Sequence, residues 1–453
     1  MKSTITVIGA GPVGIVAALY LARRGHRVRV FEDRPDPRVF TPRGGRSINL
    51  TLSARGWHAL RDVGADAAVR EVSLPLTARR LHLEDGSTAE HPYGPNGEAL
   101  HSVGRNLLAR VLIDHAAKTD GITLTFGSRV TSLDPASGSL ELEPSKAGER
   151  TSTVEASHVL VADGSHSVVR EHLMAAAGGE CRRKFLGYWY KEIDVPSAEG
   201  AWALDPNATH VWPRRDALLC LFANLDRTFT GSLFMPFSGG RTSFDALCTQ
   251  ADVRELFDRE FAALPPHSPK LCHRFFSRPP SPIMSIRSSR WTWNGRYALI
   301  GDAAHTVTPV LGQGLNAGLE DCTVLDACLD AYPDWTSALE RYAELRQRDT
   351  DALFQMAEDH FRELSVNAAA PAFVRRKRIE NRLHRLYPGR IAPLYTLIAF
   401  HRLPYSQLPA LAAAQERLIE TLLAIDDVEE RWGLDEVQAP IRNYLATAPL
   451  LAE

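Results

Sequence analysis

The glycines of Gly9-Ala-Gly-Pro-Val-Gly14 constrain this chain more than any other feature. They follow Thr4-Ile-Thr-Val-Ile8, a β-branched run with strand character, and precede Ile15 to Arg23, whose apolar residues recur at helical spacing. Gly25-His26 then turns the chain, and Arg27-Val-Arg-Val-Phe31 reads as a second strand that ends in Glu32. Each part has a physical task in a dinucleotide site. Gly9 permits the tight turn, Gly11 lets the backbone approach a pyrophosphate, and Gly14 lets helix and strand pack closely. The helix start offers unpaired N–H groups to phosphate, and Glu32 stands where it accepts hydrogen bonds from a ribose. The pattern specifies a dinucleotide without choosing between FAD and NAD.

A chain of 453 residues exceeds one ordinary core, so two or three domains are expected. Its net charge of -2 gives no electrostatic case for nucleic acid or an anionic membrane. The six cysteines are scattered, without CxxC pairs or His at ligand spacing, which reads as reduced thiols and no metal site. No apolar run reaches the roughly 18 residues of a membrane span. The apolar N-terminus reads as strand-turn-helix, not as a signal peptide. A cytoplasmic protein without a transmembrane span is expected.

Two further strand ends resemble the first. Val159-Leu-Val-Ala runs into Asp163-Gly-Ser-His, and Arg296-Tyr-Ala-Leu-Ile300 runs into Gly301-Asp302. After the second, a turn through Pro309 leads to Gly312-Gln-Gly-Leu-Asn316, which opens a helical pattern. Ligands bind at the carboxyl ends of strands in such sheets, so three ends can meet over one extended dinucleotide. A second GxGxxG for a separate nicotinamide nucleotide is lacking. Between these sites, Leu74 to Arg105 alternates with period two and predicts antiparallel strands, and Asn106 starts a helix. Ile122–Phe126 and Arg129–Leu133 read as further strands. Thr41 to Gly56 reads as a Gly- and Arg-rich loop before a short helix, either a cofactor cover or a solvated connection.

The order GxGxxG, DG, GD resembles the single-component FAD aromatic hydroxylases related to p-hydroxybenzoate hydroxylase. The similarity is closest to their kynurenine 3-monooxygenase branch and runs over most of the chain. It is carried by Gly45-Arg-Ser-Ile-Asn-Leu, Leu74-Pro-Leu-Thr-Ala-Arg-Arg-Leu-His, Pro92-Tyr-Gly, Ser102-Val-Gly-Arg, His210-Val-Trp-Pro-Arg and Leu233-Phe-Met-Pro-Phe. Further along it is carried by Gly301-Asp-Ala-Ala-His, Gly312-Gln-Gly-Leu-Asn-Ala-Gly-Leu-Glu-Asp-Cys, Val366-Asn and Pro393-Leu-Tyr-Thr. The resemblance implies an α/β fold. A Rossmann-type FAD domain (1–73, 100–175, 285–345) would be interleaved with a mostly antiparallel substrate sheet (74–99, 176–284), followed by a helical region (346–453).

The resemblance also implies the site. FAD contacts fall on Val13, Phe31, Glu32, Asp33, Arg34, Thr51, Arg105, Val130 by main chain, Asp302, Leu315 and Asn316, with Asp163 bracing the pyrophosphate side. The helix starting near Gly312 and Gly314 would stabilise reduced, anionic flavin. Arg79 and Tyr93 would bind the α-carboxylate of L-kynurenine, and Asn367 and Tyr405 would close the same end. Strand alternation puts Arg79 and Arg80 on opposite faces, and the family alignment selects Arg79. NADPH would reduce FAD, O2 would add as a C4a-hydroperoxide, and the ring carbon ortho to the amino group would take the terminal oxygen. No side chain is expected to act as catalytic acid or base.

The chain departs from the family in carrying more aromatic bulk at Tyr188-Trp-Tyr-Lys-Glu192, in lacking the membrane-anchoring C-terminal tail of animal relatives, which suits a bacterial form, and at the flavin's reactive edge. Val310-Leu311 stands where relatives carry bulkier rings at the flavin's reactive edge, which gives room for a substituted kynurenine. NADPH or NADH, and kynurenine or another aromatic acid, stay open. A non-catalytic binding protein of the Rab escort type is the alternative from another class. Trp291-Thr-Trp293 resembles part of a halogenase motif but lacks its Ile-Pro. The basic run Arg375-Arg-Lys-Arg378 reads as a solvated helix face, against a membrane-surface or NADPH role.

Overall fold

The computed structural model describes residues 3–39, 48–145, 150–198, 200–262, 264, 275–276, 279–363 and 371–451, of which 371–374 by backbone alone. The described chain forms two compact units. The first comprises residues 1–74, 101–187 and 282–350, and the second residues 75–100, 188–281 and 351–453.

The first unit is built on β1 (Thr4–Ile8), α1 (Pro12–Arg23) and β2 (Arg27–Glu32). Its six-stranded sheet has the order Thr292–Trp293, Tyr297–Leu299, His158–Val161, β1, β2, Ile122–Phe126. All neighbours are parallel except the edge pair Thr292–Trp293 with Tyr297–Leu299. A parallel sheet is covered on both faces, which is why β1 is buried from Ile5 to Ile8 instead of alternating. Ile15, Leu19, Val28, Val30, Leu112, Val159, Tyr297, Leu299 and Leu319 belong to the same core. The helices Arg105–Ala117 and Gly314–Ala331 pack here as well.

The segment read as loop before a short helix differs in part. Asn49–Leu52 is a strand, β3, antiparallel to Leu100–Gly104 with Asn49 opposite Gly104 and Leu52 opposite His101. Four residues followed by a helix carry too little pattern to reveal a strand whose partner lies far along the chain. The helix follows as expected, α2 (Ala54–Asp62). Residues 40–47 lie outside the described residues.

In the second unit, residues 188–195 of the long strand Cys181–Val195 pair antiparallel with Phe229–Pro236. Leu218–Ala223, Ala208–Pro213, Ala78–His82 and Thr88–Pro92 follow in that order. Every described pair of these is antiparallel except Ala78–His82 with Ala208–Pro213, which is parallel because Ala78–His82 comes from a separate excursion of the chain. Toward the C-terminus the unit is helical: Pro371–Leu386, Leu394–Phe400, Leu408–Leu423 and Asp435–Thr447. Ile379, Leu383, Leu418, Leu422, Val437 and Ile441 form the shared core of Pro371–Leu386, Leu408–Leu423 and Asp435–Thr447.

Candidate functional site

In the first unit the carboxyl ends of β1, β2, His158–Val161 and Tyr297–Leu299 lie side by side, because these strands are parallel neighbours. The glycines at this edge do different work. Gly9 has φ +101, and a Cβ there would come 2.5 Å from the Ala162 carbonyl oxygen. A Cβ at Gly14 would collide with the carbonyl oxygen of Gly9. A Cβ at Gly11 would meet nothing within 4 Å. Gly9 and Gly14 are therefore required by the protein's own packing, whereas Gly11 borders open space at the N-cap of α1. That space is a cradle for an anion approached by backbone N–H groups.

Glu32 is buried, and its Oε2 accepts the Ala10 N–H at 2.6 Å. Its Oε1 accepts from the Arg34 N–H at 3.1 Å and from Arg34 Nε at 2.6 Å. The carboxylate is thus fixed at the end of β2 with acceptor capacity left for a ribose. Asp33 and the Arg34 side chain are exposed beside it, Phe31 and Val130 are buried, and Val13 is half-buried. At the end of His158–Val161, burial raises the Asp163 carboxyl to about 6, against a hydrogen bond with Ser167. One Asp163 oxygen, Oδ1, is buried without a partner among the described residues. An acceptor left so is suited to a donor brought by a ligand.

Gly301 has φ +61, and a Cβ there would press on Val13 at 3.1 Å. Asp302 beside it is exposed, yet the protein surrounding it raises its pKa, with His305 and Arg105 opposing. Accessible but enclosed is the environment of a cleft floor. Arg105, exposed, is the first residue of its helix. Gly312 has φ +65 and holds its carbonyl near the Thr51 hydroxyl at 3.3 Å. The helix then begins at Gly314. The N–H groups of Gly314, Leu315 and Asn316 fall in its first turn, where a helix supplies no partner of its own.

Asn316 is fully buried, and its amide is spent on protein. Nδ2 donates to the carbonyls of Thr51 at 2.8 Å and Gly312 at 3.0 Å, and Oδ1 accepts from the Ser53 N–H at 2.9 Å. Any cofactor contact at this residue is left to its main chain. Leu311, in the turn Pro309–Leu311, is buried, and only Val310 of the aliphatic pair is partly accessible.

Sequence reasoning missed the group beneath this edge. Asp321 is fully buried and accepts from the Gly301 N–H at 2.8 Å, His305 Nε2 at 2.6 Å and Arg346 Nε at 2.7 Å. Burial opposes its charge, but His305 and Arg346 hold its carboxyl below the usual range. Arg170, also buried, donates to the carbonyls of Ala303 at 3.2 Å and Ser165 at 2.9 Å, tying two strand-end loops together. The available signal for Asp321 was a carboxylate four residues after Ala317 on the buried helix face.

The second unit gathers a different set. Arg79 and Arg80 lie on opposite faces of their strand. Arg80 pairs with Glu90 at 2.5 Å and Asp205 at 2.9 Å. Arg79 has no carboxylate partner among the described residues, and its Cζ stands 4.5 Å from the centre of the Tyr395 ring. Tyr93 stacks on Tyr395 at 5.7 Å between centroids and donates its hydroxyl to Thr209 at 2.9 Å. Thr396 Oγ1 donates to the Tyr93 carbonyl at 2.9 Å, which fixes the helix Leu394–Phe400 to this turn. Burial raises the pKa of both phenols, Tyr93 and Tyr395, so both are protonated at neutral pH. His360 stacks on Tyr395 from another helix at 5.7 Å and 29°. A guanidinium without an anion, among neutral hydroxyls, suits a ligand carboxylate.

Tyr405 is fully buried in the turn Tyr405–Gln407, and Asn367 lies outside the described residues. Tyr395 and His360 were not singled out from the sequence, since an aromatic and a histidine on helices look like ordinary packing. The basic run is exposed at Arg375 and Arg378, as expected, and engaged at its other positions. Lys377 pairs with Glu380 at 2.7 Å, Arg376 pairs with Glu416, and Arg382 lies over Trp432 at 4.1 Å. Among the described residues no helix is long and apolar enough to cross a membrane.

Comparison with known proteins adds three findings. Residues 2–356 match the family described as FAD binding domain. The chain is 39% identical over 421 residues to the kynurenine 3-monooxygenase of Salinispora arenicola, covering 92% of each. It is 34% identical over 443 residues to that of Flavobacterium johnsoniae (97% and 98% covered) and 32% identical over 430 residues to that of Sus scrofa (93% and 89%). Among solved structures it resembles the tetrameric form of 2-methyl-3-hydroxypyridine-5-carboxylic acid oxygenase, with a TM-score of 0.66 and 21% identity over 81% of this chain and 94% of that one. It also resembles an HpxO of Klebsiella pneumoniae complexed with FAD, with a TM-score of 0.60 and 23% identity over 79% and 88%. The structural likenesses speak to the fold.

Proposed function

The chain belongs to the FAD binding domain family, and from that premise we propose that it is a kynurenine 3-monooxygenase, hydroxylating the aromatic ring of L-kynurenine with O2 and NADPH. The observation that carries the reading is identity of 32–39% to proteins of that name over nine-tenths or more of this chain. The chemistry that bound FAD supplies is the activation of O2 after reduction by NADPH, which no amino-acid side chain provides.

The residues present fit this cofactor. Gly11 leaves room for a pyrophosphate, Glu32 is fixed for a ribose, and the first-turn N–H groups of Gly314, Leu315 and Asn316 favour negative charge on the ring system. Asp302 and Asp163 supply acceptors at the other two strand ends. Asp321 and Arg170 set the backbone that carries these groups. In the second unit Arg79 takes the substrate carboxylate, and the neutral hydroxyl of Tyr93 fixes its angle once its proton turns from Thr209 to the carboxylate. The aniline nitrogen already activates the ring, so no acid or base is assigned. The bacterial relatives support a bacterial source.

The test is O2-dependent NADPH oxidation by the purified, yellow protein, with product mass. L-kynurenine should accelerate oxidation and gain one oxygen atom. A protein that takes up no FAD, or NADPH oxidation unmoved by L-kynurenine, overturns the reading. A panel including ring-substituted kynurenines separates the parent substrate from its derivatives.

A further inference from the structure

His360 is a residue that the proposed reaction leaves without a task. Its side chain is 12% exposed, and its Nε2 is buried with no partner among the described residues. Its Nδ1 lies 3.6 Å from Glu363 Oε2, just beyond hydrogen-bond distance. The ring stacks on Tyr395, the same ring over which the Arg79 guanidinium sits. Glu363 in turn lies 3.6 Å from Lys377, whose nearer partner is Glu380 at 2.7 Å.

The charges here have a sense. Burial, together with nearby Arg79, lowers the His360 pKa against the pull of Glu363, so the ring is neutral at pH 7. Burial works against ionisation of Glu363, yet His360, Lys377 and Arg79 hold its carboxyl down to about 2. A neutral ring whose Nδ1–H is directed to a carboxylate presents its other nitrogen as a lone pair. The carboxylate makes that lone pair a better acceptor, as a carboxylate does behind a metal-ligating histidine. Nε2 is therefore an unsatisfied acceptor on a ring that stacks on Tyr395, the ring over which the Arg79 guanidinium sits.

An α-amino acid brings two charges on adjacent groups. A cation suits its carboxylate, and its ammonium needs an acceptor backed by negative charge. We propose that His360 accepts a hydrogen bond from the substrate's α-ammonium, with Glu363 as the positioning residue behind it, so that the site selects a zwitterionic free amino acid over the same aromatic ketone lacking the amino group. This rests on the proposed function and adds to it which group of the substrate the enzyme reads.

The experiment is an equilibrium titration of FAD-loaded protein with L-kynurenine and with its des-amino analogue, 4-(2-aminophenyl)-4-oxobutanoate. Wild type should prefer L-kynurenine by about 10- to 150-fold, the range for a hydrogen bond to a charged group. His360→Phe keeps the stack on Tyr395 and removes the acceptor. It should bring the ratio of the two affinities toward one while leaving the analogue's own affinity within about threefold. His360→Gln, which restores an acceptor near the place of Nε2, should recover part of the preference, and Glu363→Gln should lose part of it. A structural role alone would weaken both ligands together. If His360→Phe fails to load FAD, Glu363→Gln carries the test. An unchanged ratio in the loaded variants overturns the assignment of His360. Failure of wild type to bind L-kynurenine overturns instead the function on which it rests.

Discussion

Replacing Gly11 and Gly14 by alanine, one at a time, separates glycines that the fold requires from one that a ligand requires. At Gly14 a methyl group would run into the backbone oxygen of Gly9, which cannot swing away as a side chain can. Overpacking of this kind costs about 1–3 kcal/mol, so Gly14→Ala should lower the stability of the FAD-free protein. At Gly11 the methyl group meets nothing within 4 Å, and the backbone sits at φ -65 and ψ 169, which any residue adopts. Alanine is a slightly poorer N-cap than glycine, but it restricts the unfolded chain, and these effects of about 0.5–1 kcal/mol oppose each other. FAD-free Gly11→Ala should therefore match wild type within about 1 kcal/mol. Its methyl group would stand where a pyrophosphate meets the backbone. Losing one charge-assisted hydrogen bond there costs about 1.5–3 kcal/mol, a 10- to 150-fold weaker affinity for FAD. Urea denaturation of the apoproteins gives the first quantity, and quenching of FAD fluorescence on binding gives the second. A Gly11→Ala protein that binds FAD within about threefold of wild type would refute the placement of the pyrophosphate.

Three further outcomes are expected. Arg79→Ala should weaken L-kynurenine by about 10- to 150-fold in KM with FAD content unchanged, whereas Arg80→Ala removes only partly exposed ion pairs and should cost about 1 kcal/mol of stability or less. Because the folded Asp163 carboxyl titrates near 6 rather than 3.8, its ionisation above that pH disfavours the folded state. Asp163→Asn apoprotein should accordingly gain about 1–3 kcal/mol over wild type at pH 8 in urea denaturation, and the gain should vanish by pH 4. His82 Nε2 and His210 Nδ1 lie 2.9 Å apart, and burial holds both rings neutral, His82 down to about 4. Their stabilisation is complete above the unfolded value near 6.5 and should fall away as pH drops toward 4. A denaturation profile of His82→Gln that falls as steeply as wild type between those values would remove the pair from the acid response.

What the sequence determined by itself is local. Strand, Gly9-Ala-Gly-Pro-Val-Gly14, helix and Glu32 are adjacent in the chain, and each acts on neighbours within one β-α-β unit, so their spacing suffices to place them. The strand ends at Asp163 and Gly301-Asp302 were legible for the same reason, and similarity to a family then added positions such as Thr51 and Arg105 that spacing does not distinguish. The separation of Arg79 from Arg80 followed from strand alternation, although which of the two lacks an anion did not.

The tertiary structure decided what depends on partners far along the chain. Asn49–Leu52 becomes a strand only by pairing with Leu100–Gly104. The Asn316 amide is consumed by Thr51, Ser53 and Gly312, so the residue's contribution is its backbone. Asp321 reads in sequence as one acid in a helix, and in the fold it holds Gly301, His305 and Arg346 together. Tyr395 and His360 carry no assigned role in the sequence, and folding sets both beside Arg79 in the second unit. A side chain's chemistry is set by the groups around it and by how much water they exclude. For these residues the groups come from other segments of the chain, which only the folded structure brings together.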